Sequence, residues 1–299
     1  MRSSNKILII GGCGYIGSRL YEYFKNKKKY ERVDTVDLEW FGNYVNPQNI
    51  KKDYRYLSAR FLKKYDTLIL LAGHSSIPMS EKKMLKTFKN NVVNFLQLLN
   101  KIDSQKFIYA SSSSVYGNTK ENEVTEEHDR YSPTNYYDLT KKEIDYYAHL
   151  SKANYYGLRM GTVCGYSPNL RVDVMINKMF ESAISTGEIL IFNKDFYRPI
   201  LGIEDFCRAV EEIIKKDAPS GLYNLASFNI TIEKIAKKVK KKLKKVKVNN
   251  IGSNPSYYNF SISTRKFEKT FNFQFNDSVE SILDSLIKKS HKSNKSIRV

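Results

Sequence analysis

Near the start of the chain a short apolar run, residues 7–10, empties into Gly11-Gly12-Cys13-Gly14-Tyr15-Ile16-Gly17. That junction constrains the fold more than any other feature. Gly11, Gly14 and Gly17 are spaced three apart, at the end of a β-rich run and the start of a helical pattern. Glycines there let the backbone turn tightly and approach a ligand closely, while a helix N-terminus supplies free N–H groups and the positive end of a dipole. Any strand-to-helix turn can use glycine, so the series needs support from the rest of the chain.

Support comes from the order of elements. Strands are expected at 6–10, 33–37, 67–71, 106–110 and 154–159, with helical patterns at 15–26, 82–100 and 136–151. This alternation implies right-handed βαβ units and an α/β fold built on a doubly wound parallel sheet of the Rossmann type. After about residue 165 the pattern changes, with Pro168, Pro199 and Pro255 as punctuation. The expected division is a nucleotide-binding domain over 1–165 and a smaller C-terminal substrate-binding lobe over 166–299. A segment of the latter, about 200–215, is expected to return to the first domain.

In that setting Asp37 closes the second strand about 20 residues after the glycines, where a carboxylate accepts the ribose hydroxyls of NAD and repels the 2′-phosphate of NADP. Its plain alternative is a turn residue. Asp53, followed by Tyr54, could bond an adenine amine or be an exposed loop acid. Leu71-Ala72-Gly73 ends a strand in small residues, as a backbone passing close to a cofactor requires. NAD is therefore the expected cofactor, with Gly11, Gly14, Tyr15, Ile16 and Gly17 at its pyrophosphate.

Charge and composition narrow the class. Hydrophobic residues make up 41% of the 299 residues, a globular proportion, and no apolar run reaches membrane-spanning length. Cys13, Cys164 and Cys207 are too few and too scattered for a disulfide framework or a zinc site; a cytoplasmic protein without a metal is expected. The net charge of +19 invites a nucleic-acid reading. In the densest lysine run, 237–247, Ile235, Val239 and Leu243 recur every four residues, which favours a solvated helix face instead. The same positive field would draw in a diphosphate.

The chemical end lies further along. Tyr137 and Lys141 stand at i and i+4, on one face of a helix, a spacing that is common by chance in a chain rich in both. Ser111-Ser112-Ser113-Ser114-Val115-Tyr116-Gly117 comes directly after a buried-looking strand, where catalytic groups of such sheets sit; alone it could be a polar turn.

Taken in order, these features resemble the extended short-chain dehydrogenase/reductase family of nucleotide-sugar epimerases, dehydratases, decarboxylases and reductases. The match runs through the glycines, Asp37, Leu71-Ala72-Gly73, Asn91, the serine run and Tyr137/Lys141. It continues to Leu158-Arg159, Arg198-Pro199, Tyr223-Asn224-Leu225-Ala226 and Ser263-Thr264-Arg265-Lys266. The resemblance implies that Tyr137 is the acid/base, that Lys141 lowers its pKa and binds the nicotinamide ribose, and that Ser112 aligns the reacting oxygen. It also places Asn91 at the cofactor and Ser113 and Ser114 on the substrate side. Dehydratases of the family usually carry Asp-Glu at those two positions and decarboxylases a Glu, so the implied reaction is 4-epimerisation of a nucleotide-diphosphate sugar. A 4-ketosugar reductase or sugar dehydrogenase stays open, and a non-catalytic dinucleotide-binding scaffold is the rival of another class. Arg198 matches the family's diphosphate-binding arginine. Thr162 stands where the family commonly has asparagine, and Arg171 is a diphosphate candidate or a structural salt bridge. A homodimer through helices 82–100 and 136–151 is also implied.

Overall fold

The apolar runs within 6–10, 67–71 and 106–110 need cover on both faces, and in the computed structural model they receive it. The structure describes residues 6–119, 123–128, 133–254 and 258–290. Strands β1 (Lys6–Ile10), β2 (Arg32–Val36), β3 (Thr67–Leu70), β4 (Lys106–Ser112), β5 (Asn154–Met160) and β6 (Gly221–Leu225) form one parallel sheet. Their order is β2-β1-β3-β4-β5-β6. One face is covered by helices α1 (Tyr15–Lys25) and α3 (Ile203–Lys215) through Leu20, Phe24, Phe206 and Val210. The other is covered by Val92, Phe95 and Leu98, and by Ile144 and Ala148 of α2 (Tyr136–Leu150). The chain leaves β1 toward β2 and later crosses to β3 on the other side. The resulting switch point opens a crevice above the glycine loop.

Two expectations are corrected in shape. The helix expected over 82–100 is not continuous: Met84–Phe88 passes into a π-helical turn at Lys89–Val93 before Asn94–Leu99. The extra residue turns Asn91 inward, where its amide finds partners that a regular helix would deny it. The strand expected to stop at Ala110 runs on to Ser112, paired with Met160 of β5, so Ser112 is the last residue of a strand.

The second lobe interleaves with the first. Gly161 separates β5 from strand Thr162–Cys164, which joins Tyr197–Gly202 and Phe228–Thr231 in a three-stranded sheet. A Cβ on Gly161 would meet the Pro199 carbonyl oxygen at 2.7 Å, so glycine lets the two sheets cross closely. The chain then re-enters the central sheet through α3 and β6. Helix Ile232–Leu243 buries Ile235 and Val239 and turns its lysines outward, with Lys237, Lys238 and Lys242 paired to Glu233, Glu280 and Asp284. Among the described residues no helix is long and apolar enough to cross a membrane.

Candidate active site

Two adjoining cavities lie over the C-terminal ends of the strands. The smaller, about 440 Å³, is walled by the glycine loop, Asp37, Asp53 and Tyr54, and Leu71-Ala72-Gly73. The larger, about 920 Å³, takes in Ser112, Ser113, Ser114, Tyr137 and Lys141, with Thr162, Arg171 and Arg198 beyond. Tyr15, Ile16 and Arg171 belong to both walls, so the two spaces adjoin each other.

The smaller cavity fits a dinucleotide. Gly11, at φ +91°, has no room for a Cβ, which would meet the Ala72 nitrogen at 2.4 Å. At Gly17 a Cβ would strike the Gly11 carbonyl oxygen at 2.0 Å, so glycine lets α1 start directly against the loop. Gly14 is the N-cap of α1, has space around it, and no side chain caps the helix there. The first turn therefore offers its backbone donors to an anion in the cavity. Asp37 is held at the rim by the N–H groups of Cys13 at 3.0 Å and Glu39 at 2.7 Å, which leaves lone pairs for further donors. Asp53 lines the wall, but its carboxylate also caps its own turn and holds Arg55 in a two-pronged pair. Tyr54 is buried, with its hydroxyl on the Asn90 carbonyl at 3.0 Å.

Asn91, expected at the cofactor, is not in the lining of either cavity. Its Oδ1 accepts from the His74 N–H at 2.8 Å, and its Nδ2 donates to the His74 carbonyl and to Thr140 of α2. The residue ties the loop after β3 to α2.

At the chemical end, α2 presents Tyr137, Lys141 and Asp145 at successive turns. Lys141 donates to the Ala110 carbonyl at 2.7 Å. Asp145 accepts from Tyr109, Ser111 and Arg159, and Arg159 also donates to the Tyr116 hydroxyl. The Leu158-Arg159 and Val115-Tyr116-Gly117 motifs thus lock the serine run against α2. Asn224 completes the brace by accepting from Tyr116 at 2.7 Å.

The electrostatics differ from expectation in one respect. Burial pushes the Tyr137 phenol up to about 12, against the lowering influence of Ser112 and Arg171. Lys141, expected to lower it, is itself held down to about 8 by burial. Its Nζ stands 5.9 Å from the Tyr137 ring centre. The pair is placed for proton transfer, but in the protein alone the phenol keeps its proton.

Arg171 makes a two-pronged pair with Asp173 and also donates to the Ser75 hydroxyl at 3.2 Å, at the junction of the cavities. Arg198 lies in the wall with one donor on the Tyr258 carbonyl. Several residues were not anticipated. His74 lines the larger cavity with Nδ1 on Thr87, and burial beside Lys83 and Lys86 lowers its pKa. Trp40 lines the smaller one. Asp138 is buried beneath Ser114. An acid beside the tyrosine in the first turn of a helix was the available signal for Asp138.

Comparison with known proteins agrees with this geometry. A family model described as the NAD dependent epimerase/dehydratase family matches residues 7–226. A UDP-glucose 4-epimerase of Lactobacillus helveticus is 29% identical over 271 residues, 78% of this chain and 81% of that protein. A dTDP-D-glucose 4,6-dehydratase of Dictyostelium discoideum is 26% identical, over 78% of this chain and 61% of its own longer one. The structure of the ADP-L-glycero-D-manno-heptose-6-epimerase of Helicobacter pylori superposes with a TM-score of 0.83 at 26% identity, covering 97% of both chains.

Proposed function

This chain is an NAD-dependent enzyme of the epimerase/dehydratase family, and on that footing we propose that it is a nucleotide-sugar 4-epimerase of the cytoplasm. The family alone leaves the reaction open, since relatives named as 4-epimerase, 4,6-dehydratase and 6-epimerase all resemble it. One observation supports the choice. Elimination of water needs a further acid/base pair facing the sugar. Beside Ser112 the cavity wall carries Ser113 and Ser114, and the carboxylate bonded to that wall, Asp138, is sealed behind Ser114. A cavity of about 920 Å³ also leaves a sugar space to turn between the two half-reactions.

In this reading Tyr137 takes the proton of the sugar hydroxyl while Ser112 holds the same oxygen. Lys141 orients the nicotinamide ribose, Asp37 holds the adenosine ribose, and the first turn of α1 faces the pyrophosphate. Arg198, Thr162 and Arg171 hold the substrate diphosphate. NAD held there would supply the acceptor and donor of the hydride exchanged with the sugar carbon. The test is incubation with UDP-, dTDP- and GDP-sugars, with products read by NMR. A C4-inverted sugar with no net NADH is expected. Stoichiometric NADH consumption would make the enzyme a reductase, and a 4-keto-6-deoxy product a dehydratase.

A further inference from the structure

The first turn of α1 carries a segment of the second lobe. Tyr15, expected at the pyrophosphate, donates its hydroxyl to the Gly165 carbonyl at 2.8 Å. Ser167 shares a 2.8 Å hydrogen bond with Ser18 and donates to the Tyr15 carbonyl at 2.6 Å. Asn177 steadies the segment from behind, donating to the Arg171 carbonyl at 2.8 Å. The root of residues 165–171 is thus fixed to the nucleotide-binding domain by polar bonds.

From that root the segment reaches across the cavities. Asn169, in the wall of the smaller one, donates from Nδ2 to the Cys13 carbonyl at 2.7 Å, inside the glycine loop. The same Nδ2 donates to the Phe41 carbonyl at 3.2 Å, on the loop after β2. That anchor is itself built: Glu39 stands at φ +59°, and its carboxylate accepts from Asn43 at 2.9 Å and Asn49 at 3.1 Å. On the loop after β3, the Ser75 hydroxyl accepts from Arg171 Nη1 at 3.2 Å. Ser75, Arg171 and Asp173 each line both the smaller cavity and the larger. The Ser75–Arg171 bond therefore stands at the boundary between the two spaces.

A dinucleotide with its adenosine at Asp37 and its nicotinamide at Lys141 has to cross this boundary. We propose that the segment is a strap that retains the cofactor, with Asn169 and Ser75 as its positioning residues, and that a diphosphate in the larger cavity tightens it. The proposal rests on the reading of the two cavities given above. Release of the cofactor requires the strap to swing away, which breaks the bonds of Asn169 and Ser75 while those of Tyr15 and Ser167 hold its root. Arg171 faces the larger cavity in the arrangement in which it meets Ser75. An anion bound to Arg171 there favours that arrangement over an open one, and so slows release. An enzyme that returns a hydride to the sugar it came from is served by this retention, because a cofactor lost between the half-reactions leaves a ketone behind.

The experiment loads the full chain with NADH, displaces it with excess NAD and follows NADH fluorescence, with and without UDP. Ser75→Ala and Asn169→Ala should release NADH about three- to tenfold faster than the wild type, the effect of one partly exposed hydrogen bond. Ser75→Thr keeps the hydroxyl and should restore the wild-type rate. UDP should slow release from the wild type and much less from Ser75→Ala. Ser75 is exposed and lies outside any helix or strand, so its variants keep the melting temperature and decide the matter if Asn169→Ala does not fold. Release from Ser75→Ala at the wild-type rate, or an equal UDP effect in two proteins that both bind UDP, overturns the strap. A wild type that fails to bind NADH, or UDP by titration, would instead overturn the reading of the cavities.

Discussion

Lys141 is an ammonium that the fold must bury to bring it beside Tyr137. Among the described residues its hydrogen-bond acceptor is the Ala110 carbonyl, and desolvation brings its pKa from 10.5 to about 8. Below that value the folded and unfolded chains both carry the charge, so the cost of burying it is fully present, on the order of 3 kcal/mol. As pH rises through 8 toward 10.5, the folded chain sheds the proton first and the cost fades. Lys141→Met should therefore stabilise the protein by about 1–3 kcal/mol at neutral pH while removing turnover. Urea unfolding at neutral pH and near pH 9.5 checks this. The gain must shrink at the higher pH, and a variant no more stable than wild type at neutral pH refutes the argument. The Tyr137–Lys141 pair was legible because a spacing of four fixes a shared helix face. Asp138 was not, since a spacer acquires meaning only when the end of β4 is laid against the helix.

At the scale of elements, the glycine loop separates two demands that the sequence shows as one series. Gly17 is needed for packing: its missing Cβ would lie against backbone, the Gly11 carbonyl oxygen at 2.0 Å and the Gly12 Cα at 2.8 Å. Gly14 has ordinary extended backbone, and a Cβ there would meet the Gly11 oxygen at 3.5 Å, in the cavity wall. Gly17→Ala should cost about 1–3 kcal/mol of stability. Gly14→Ala should keep its melting temperature and lose NADH affinity by roughly tenfold. Trp40, the single tryptophan, lines that cavity at 60% exposure, so its fluorescence can report NADH binding directly. Equal loss of stability in the two variants would contradict the distinction. The parallel sheet could be read from its apolar runs because strands covered on both faces have little polar alternation to hide them. The π-helical turn could not. Apolar positions continue through Val92, Phe95 and Leu98, and the interruption is set by the His74 backbone reaching Asn91 from another part of the chain.

For the whole molecule, charge and apolar surface pull in opposite directions. Leu85 and Phe88 on helix Met84–Phe88, and Leu139, Tyr146 and Leu150 on α2, stand exposed, with Leu150 at 80% and Leu85 at 75%. We propose that a second copy of the chain covers these exposed apolar side chains. Two such copies each carry a net charge of +19, so their repulsion opposes the contact at low salt. Raising salt from about 0.05 to 0.5 M shortens the screening length severalfold and should tighten the dimer. The nucleotide-sugar, an anion drawn in by the same field, should bind more weakly over the same range. Sedimentation would track the first and titration with UDP the second. Replacing Leu85 and Leu150 together by glutamate should give a monomer of 34.8 kDa that still binds NADH, because neither residue lines a cavity. A dimer that persists in this variant would place the contact elsewhere, and parallel salt responses would mean that the positive field does not govern both.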